Sequence, residues 1–253
     1  MRDQTPVIQD KADFVRKLFN SIAYRYDAMN LVMTGGLFSY WQRVFLHYTG
    51  FQPGQRVLDV CTGTAGLALL LARQVQPGGQ VVGIDFSEDM LTVGRAKVER
   101  SPYRDAVELV PGDAMDLPFA DDTFDGATIG FALRNVADIS RTLSEMRRVV
   151  KAGGRVLSLE LSHPRHPLVG VPYGLYFGKV VPWLGRLNEK GFSWGGGLRP
   201  YTYLPLSLQN FPRQDKLAEL FRLAGLERVG YRELTGGIVS IHYASKPSNE
   251  VKT

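Results

Sequence analysis

The stretch VLDVCTGTAG at residues 57–66 constrains this chain more than any other. An apolar run ends in Asp59 and glycines follow a few residues later. This pattern predicts a buried strand that turns sharply into a helix, with backbone laid open at the turn. A strand buried on both sides needs strand neighbours and helical cover, so the turn implies a layered α/β domain.

The rest of the sequence supplies those neighbours. RVLDV (56–60) is followed by Leu67, Leu70 and Leu71 at helical spacing, until Pro77, Gly78 and Gly79 stop the helix. QVVGID (80–85) reads as a second strand, and Ser87 caps the next helix with Glu88 and Asp89 in its first turn. AVELVPGD (106–113) and FDGATIGF (124–131) are the third and fourth strands. Asp138 opens a helix with Ile139, Leu143, Met146 and Val150 inward, Gly153 and Gly154 close it, and RVLSLEL (155–161) is the fifth strand. Residues 163–212 are rich in proline, glycine and aromatics, too long for a plain connector, and are read as a cap. A helix from Asp215 to Gly225 precedes RVGYREL (228–234) and IVSIHYA (238–244), which flank Thr235, Gly236 and Gly237 as an antiparallel hairpin. A mostly parallel seven-stranded sheet with such a hairpin is the Rossmann-like plan of class I methyltransferases. The expectation is one domain over 1–253, with an aromatic-rich helical segment (12–48) packed over the site.

Composition narrows the classes. A net charge of +5 without a dense basic block gives no support to nucleic-acid binding. Cys61 is the single cysteine and the four histidines form no ligand pattern, so no disulfide framework and no metal site are expected. Cys61 itself, at a strand end, is read as packing. The polar N-terminus lacks a signal-peptide core, and LVGVPYGLYFGKVVPWLG is broken by Pro172, Lys179 and Pro182, so a cytoplasmic protein is expected.

Gly63 at the turn suits close approach of a ligand to backbone at a helix start, and Asp85, ending the second strand, suits both hydroxyls of a ribose. Gly112, Asp113 and Ala114 lie where an adenine edge would be read. Adenosine is common to dinucleotides and S-adenosylmethionine. No basic residue lies between 57 and 72, and Asp59 precedes the loop, which suits a cationic sulfonium amino acid better than a pyrophosphate. A nicotinamide oxidoreductase is the disfavoured alternative.

Beyond these features, the chain resembles the ubiquinone/menaquinone biosynthesis C-methyltransferase family over roughly residues 14–246. The likeness rests on FNSIAYRYDAMNLVMTGG (19–36), GDAMDLPFADDTFDG (112–126), GFALRNVAD (130–138), VVKAGGRVLSLELSHP (149–164), YTYLPLSLQNFP (201–212) and LTGGIVSIHYASKP (234–247). The resemblance implies methylation of a ring carbon of a prenylated quinol, with S-adenosyl-L-methionine as cofactor. Another small molecule or a lipid such as phosphatidylethanolamine is the alternative substrate, and an inactive cofactor-binding module the alternative of another class. The cofactor contacts implied are Asp59, Gly63, Thr64, Asp85, Asp113, Ala114 and Gly130. The family loop usually reads Gly-Gly-Thr-Gly-Asp; here Ala65 takes a glycine position, for which a negative φ is expected, and Gly66 an acidic one.

Carbon methylation needs an electron-rich ring, best as a phenolate, and a route for the ring proton. Arg134 is expected to stabilise the phenolate and Asn135 to orient a quinol oxygen; the structural alternatives are an Arg134–Asp138 pair and Asn135 as a helix cap. Tyr26 and Asp27 are candidates for closing the site and moving a proton, against a plain surface turn. Glu160 either faces substrate or pairs with an arginine, and His242 is either a base or a satisfied structural histidine. Tyr173, Tyr176, Phe177, Trp183, Phe192 and Trp194, with Arg165, Lys179, Arg186, Lys190 and Arg199 against Glu189, suit a peripheral contact with an anionic membrane surface. A homodimer is left open.

Overall fold

A computed structural model describes residues 11–181, 183 and 200–248. Seven strands, β1 (Arg56–Val60), β2 (Gln80–Asp85), β3 (Val107–Pro111), β4 (Phe124–Gly130), β5 (Val150–Leu161), β6 (Glu227–Leu234) and β7 (Val239–Ser245), form one sheet in the order β3-β2-β1-β4-β5-β7-β6. Pairings among β1 to β5 are parallel and those of β7 with β5 and β6 antiparallel. The crossovers run one way from β1 to β3 and the other way from β4 to β5. A crevice therefore opens at the carboxyl ends of β1 and β4, where such sheets bind ligands.

Alternation along each strand feeds two cores. From β1, Leu58 packs with Leu143 and Met146 of α6 (Ile139–Val149) and with Leu217 and Phe221 of α9 (Gln214–Leu223). Its neighbour Val57 packs on the other face with Phe45 of α3 (Leu37–Thr49) and Leu71 of α4 (Gly66–Val75). The side chain of Asp138 accepts from the Arg141 amide at 3.0 Å and that of Ser87 from the Met90 amide at 3.2 Å, so both expected caps start α6 and α5 (Glu88–Glu99).

One boundary differs. Strand β5 starts at Val150, opposite Phe124, with an irregular step before Gly126 pairs Arg155. Gly153 and Gly154 belong to this bulged strand rather than to a helix end. A Cβ on Gly154 would stand 2.6 Å from the Asp125 carbonyl, so close backbone approach is what requires glycine there.

Helices α1 (Lys11–Ile22), α2 (Tyr26–Thr34) and α3 cross the carboxyl rim, and α7 (Pro167–Leu175), a π turn over Tyr176–Val180 and α8 (Pro200–Gln209) flank them. Polar ties fasten this cover. The Lys11 amine donates to the Arg134 and Val136 carbonyls at 3.2 and 2.6 Å, and Trp41 Nε1 donates to the Thr235 hydroxyl at 2.7 Å. Phe192, Trp194, Arg186, Glu189, Lys190 and Arg199 lie outside the described residues.

Candidate active site

The glycine turn is shaped by Asp85. Its Oδ2 accepts from the Gly63 amide at 2.8 Å and its Oδ1 from the Ser87 amide at 2.9 Å, so one carboxylate joins the loop after β1 to the start of α5. Burial raises Asp85 to about 6, the backbone donors at Ser87 and Gly63 opposing that rise. Asp59 is almost fully buried; its two oxygens accept from the Thr62 and Thr128 hydroxyls at 2.7 and 2.8 Å, and burial lifts it to about 7.

Three non-glycine residues at this rim have positive φ: Cys61 (54°), Ala65 (61°) and Phe131 (55°). The negative φ expected of Ala65 is thus corrected. Its amide donates to the Thr62 carbonyl and its carbonyl accepts from the Leu69 amide, both at 3.0 Å, and its methyl is fully buried. The surroundings hold a conformation that costs an isolated alanine about 1 kcal/mol.

Two cavities meet here. The first, about 770 Å³, is bordered by Gly63, Asp85, Asp113, Ala114, Gly130 and Asn135. A recess of about 460 Å³ continues from it past Asp59, Thr64 and Asp27. The second, about 1400 Å³, is largely apolar, framed by Met33, Leu37, Trp41 and Phe177, with Arg134, Asn30 and Tyr173 among its few polar walls. Phe19, Tyr26 and Phe131 border both. Phe131 stacks on Phe38 with ring centroids 4.9 Å apart. The acceptor residues suit a nucleoside. One lone pair on each Asp85 oxygen is taken by backbone, further acceptor capacity borders the cavity, and a Cβ built on Gly63 would meet nothing within 4 Å.

The candidates therefore separate. Arg134 pairs with Glu160, not with Asp138; both are buried, and the guanidinium also donates to the Phe131 carbonyl at 2.7 Å. Its Nε has no partner. Burial raises Glu160, and the Arg134 charge opposes the shift. Asn135 does not cap α6, a place Asp138 takes; it is buried with both amide atoms unpartnered and borders the first cavity. Asp27 accepts from Thr64 at 2.8 Å and Lys97 at 2.6 Å, clasping α2 to the glycine loop. Burial raises the Tyr26 phenol. His242 borders neither cavity: it sits against Phe221 and Tyr231, with Nε2 2.9 Å from the Gln214 carbonyl, and burial lowers it to about 4. Phe131 and Trp41 escaped sequence reasoning: Phe131 follows a strand end, Trp41 lies on the buried stripe of α3 with Phe45, and both meet the site only through long-range packing.

The sequence model of the ubiE/COQ5 methyltransferase family matches residues 6–246. A demethylmenaquinone methyltransferase of Symbiobacterium thermophilum is 48% identical over 243 residues, 96% of this chain and 96% of that protein. One from Desulfitobacterium hafniense is 45% identical over 239 residues, 94% of this chain and 92% of that protein. Among solved structures, an S-adenosylmethionine-dependent methyltransferase from Aquifex aeolicus superposes with a TM-score of 0.59 at 20% identity, covering 81% of this chain and 88% of that one.

Proposed function

The chain belongs to the ubiE/COQ5 methyltransferase family, and from that premise we propose that it methylates a ring carbon of a prenylated hydroquinone, with demethylmenaquinol as substrate. It is an S-adenosylmethionine-dependent methyltransferase with a class I fold. One observation carries the substrate reading: a cavity bordered by Asp85, Asp113 and Gly63 and a more apolar one share a wall at Phe19, Tyr26 and Phe131. That arrangement suits methyl transfer from a polar donor to an apolar acceptor.

When bound, S-adenosylmethionine supplies an electrophilic methyl whose bond to sulfur breaks as the carbon–carbon bond forms. The chain's own work is to hold and to exclude water. Asp85 takes the ribose, Asp113 and Ala114 the base, and Gly63, Thr64, Gly130 and Asp59 surround the remainder. Arg134 holds a ring oxygen as phenolate, Asn135 orients the ring at the junction, and Tyr26 closes it. The ring proton passes to the phenolate oxygen as the ring regains its aromaticity, and Glu160 keeps the Arg134 guanidinium in place beside that oxygen. Incubation with methyl-labelled cofactor is expected to label a short-chain demethylmenaquinol and leave phosphatidylethanolamine blank. Label on the lipid headgroup, or on neither, refutes this reading.

An anionic bilayer is the proposed partner of the cavity mouth. Leu31, Val32, Leu168, Val171, Leu175 and Trp183 are each more than half exposed, and the Tyr176 hydroxyl donates to the Met33 carbonyl at 2.7 Å, joining the two segments that carry them. Lys179 stands there with no acid between 164 and 181, whereas Arg165 is paired with Asp215 and Glu233 at 2.7 and 3.1 Å. Among the described residues no helix is long and apolar enough to cross a membrane. Co-sedimentation should rise with the anionic fraction of the vesicles. A composition-independent result, with light scattering giving a dimer mass, assigns the face to a second copy of the chain instead.

A further inference from the structure

The second cavity is apolar except at one end, and the polar groups there are incomplete. Asn30 Nδ2, Arg134 Nε and the Tyr173 hydroxyl are buried without a hydrogen-bond partner, and all three residues border this cavity. Buried donors are nearly always satisfied, so three orphans bordering one cavity mark a missing acceptor. They come from separate elements, α2, the loop after β4 and α7, which no local packing need brings together.

Their electrostatics agree. Burial pushes the Tyr173 phenol up, the Arg134 charge opposing, so its hydroxyl stays protonated at neutral pH. The same guanidinium acts on Tyr26 and Tyr203. Asn30 lies beside the Tyr26 phenol and steadies its ionised form, yet its Nδ2 completes no hydrogen bond within the chain.

We infer that Asn30 and Tyr173 bind the second oxygen of a 1,4-dihydroxy ring while Arg134 holds the first, so that these two residues set specificity for the doubly oxygenated acceptor. The inference rests on the hydroquinone reading above and adds the residues that discriminate. Nδ2 of Asn30 can only donate, whereas the Tyr173 hydroxyl both donates and accepts. A single ring oxygen, with two lone pairs, accepts from both the Asn30 amide and the Tyr173 hydroxyl. A ring without the second oxygen leaves them unpaired in an apolar wall, the situation in which sites reject a substrate most strongly.

The test compares kcat/KM of the full chain on two acceptors with the same short prenyl tail, a 1,4-dihydroxynaphthalene and a 1-naphthol. The wild type should prefer the dihydroxy ring at least a hundredfold. Tyr173→Phe, which changes no packing volume, should cut that preference about tenfold, and Asn30→Ala by a similar factor. The Kd of S-adenosylhomocysteine should stay within twofold in both. Equal losses on the two acceptors, with the preference kept, would assign both residues to structure and overturn the inference. Wild-type activity without any preference overturns it too. A wild type inert toward both rings fails the hydroquinone reading itself, and the inference falls with it.

Discussion

Glu160→Leu is expected to destabilise the protein by about 3–5 kcal/mol, whereas the double substitution Arg134→Met with Glu160→Leu restores stability and leaves no methyl transfer. The pair is buried on both sides, and removing one member leaves a charge in the interior with nothing to oppose it. A domain of this kind is stable by only about 5–15 kcal/mol, so the single change approaches the whole margin. Replacing both members by apolar side chains of similar volume removes desolvation cost and attraction together, and such exchanges are often neutral or favourable. Chemistry does not recover, because the Nε donor at the wall of the second cavity is gone. Urea midpoints of the three chains, with single-turnover transfer to a short-chain demethylmenaquinol, separate the two effects. A double variant as unstable as the single one would overturn the account of the pair's energetics, and one that still transfers methyl would remove Arg134 from the reaction.

Asp85→Ala is expected to raise the Kd of S-adenosylhomocysteine by about 10²–10⁴, the loss of two hydrogen bonds to an ionised group at about 1.5–3 kcal/mol each. The same carboxylate makes binding depend on pH. With Asp85 at about 6 in the free protein, the wild-type Kd should climb about tenfold per pH unit below 6, while the variant shows no such climb. S-adenosylhomocysteine carries no sulfonium charge, so calorimetry with it leaves that attraction out of the reading. Stability moves the other way. Asp59 and Asp85 have folded values of about 7 and about 6, above the 3.8 of the model acid, so between about pH 4 and 7 the folded chain binds protons that the unfolded chain has released. Their contribution to stability is therefore greatest at the acid end and declines as pH rises through that window. A wild-type Kd level from pH 5 to 8 would show that Asp85 does not carry the ribose.

Much of the sheet was legible because its signals are local: an apolar run, an acid at its end, glycine or proline beyond. Asp85 and Gly63 could be assigned to one ligand because both lie where strands reach one rim, and the structure joins them at 2.8 Å. The two glycines at 153 and 154 misled because helix stops and bulged strands use the same residue for different reasons; only the Asp125 carbonyl beside Gly154 distinguishes them. Arg134 and Glu160 both stood in recognisable segments, and pairing with an arginine was one reading of Glu160, but which arginine was not legible. Glu160 ends another strand, and only the packing of β4 against β5 brings the two together. The apolar cavity was the least legible part, since its walls come from α1 to α3 and from 161–181, segments with no shared period.

Phe131 has a consequence for anyone wishing to redirect this enzyme to bulkier or slimmer acceptors. Its backbone is held at φ 55°, a setting that β-branched side chains resist, so valine, isoleucine and threonine are poor tools for resizing the partition between donor and acceptor chambers. Phe38, stacked on that ring from α3, has ordinary helical backbone and tolerates a far wider palette. Engineering of acceptor size belongs on the supporting ring and not on the partition itself.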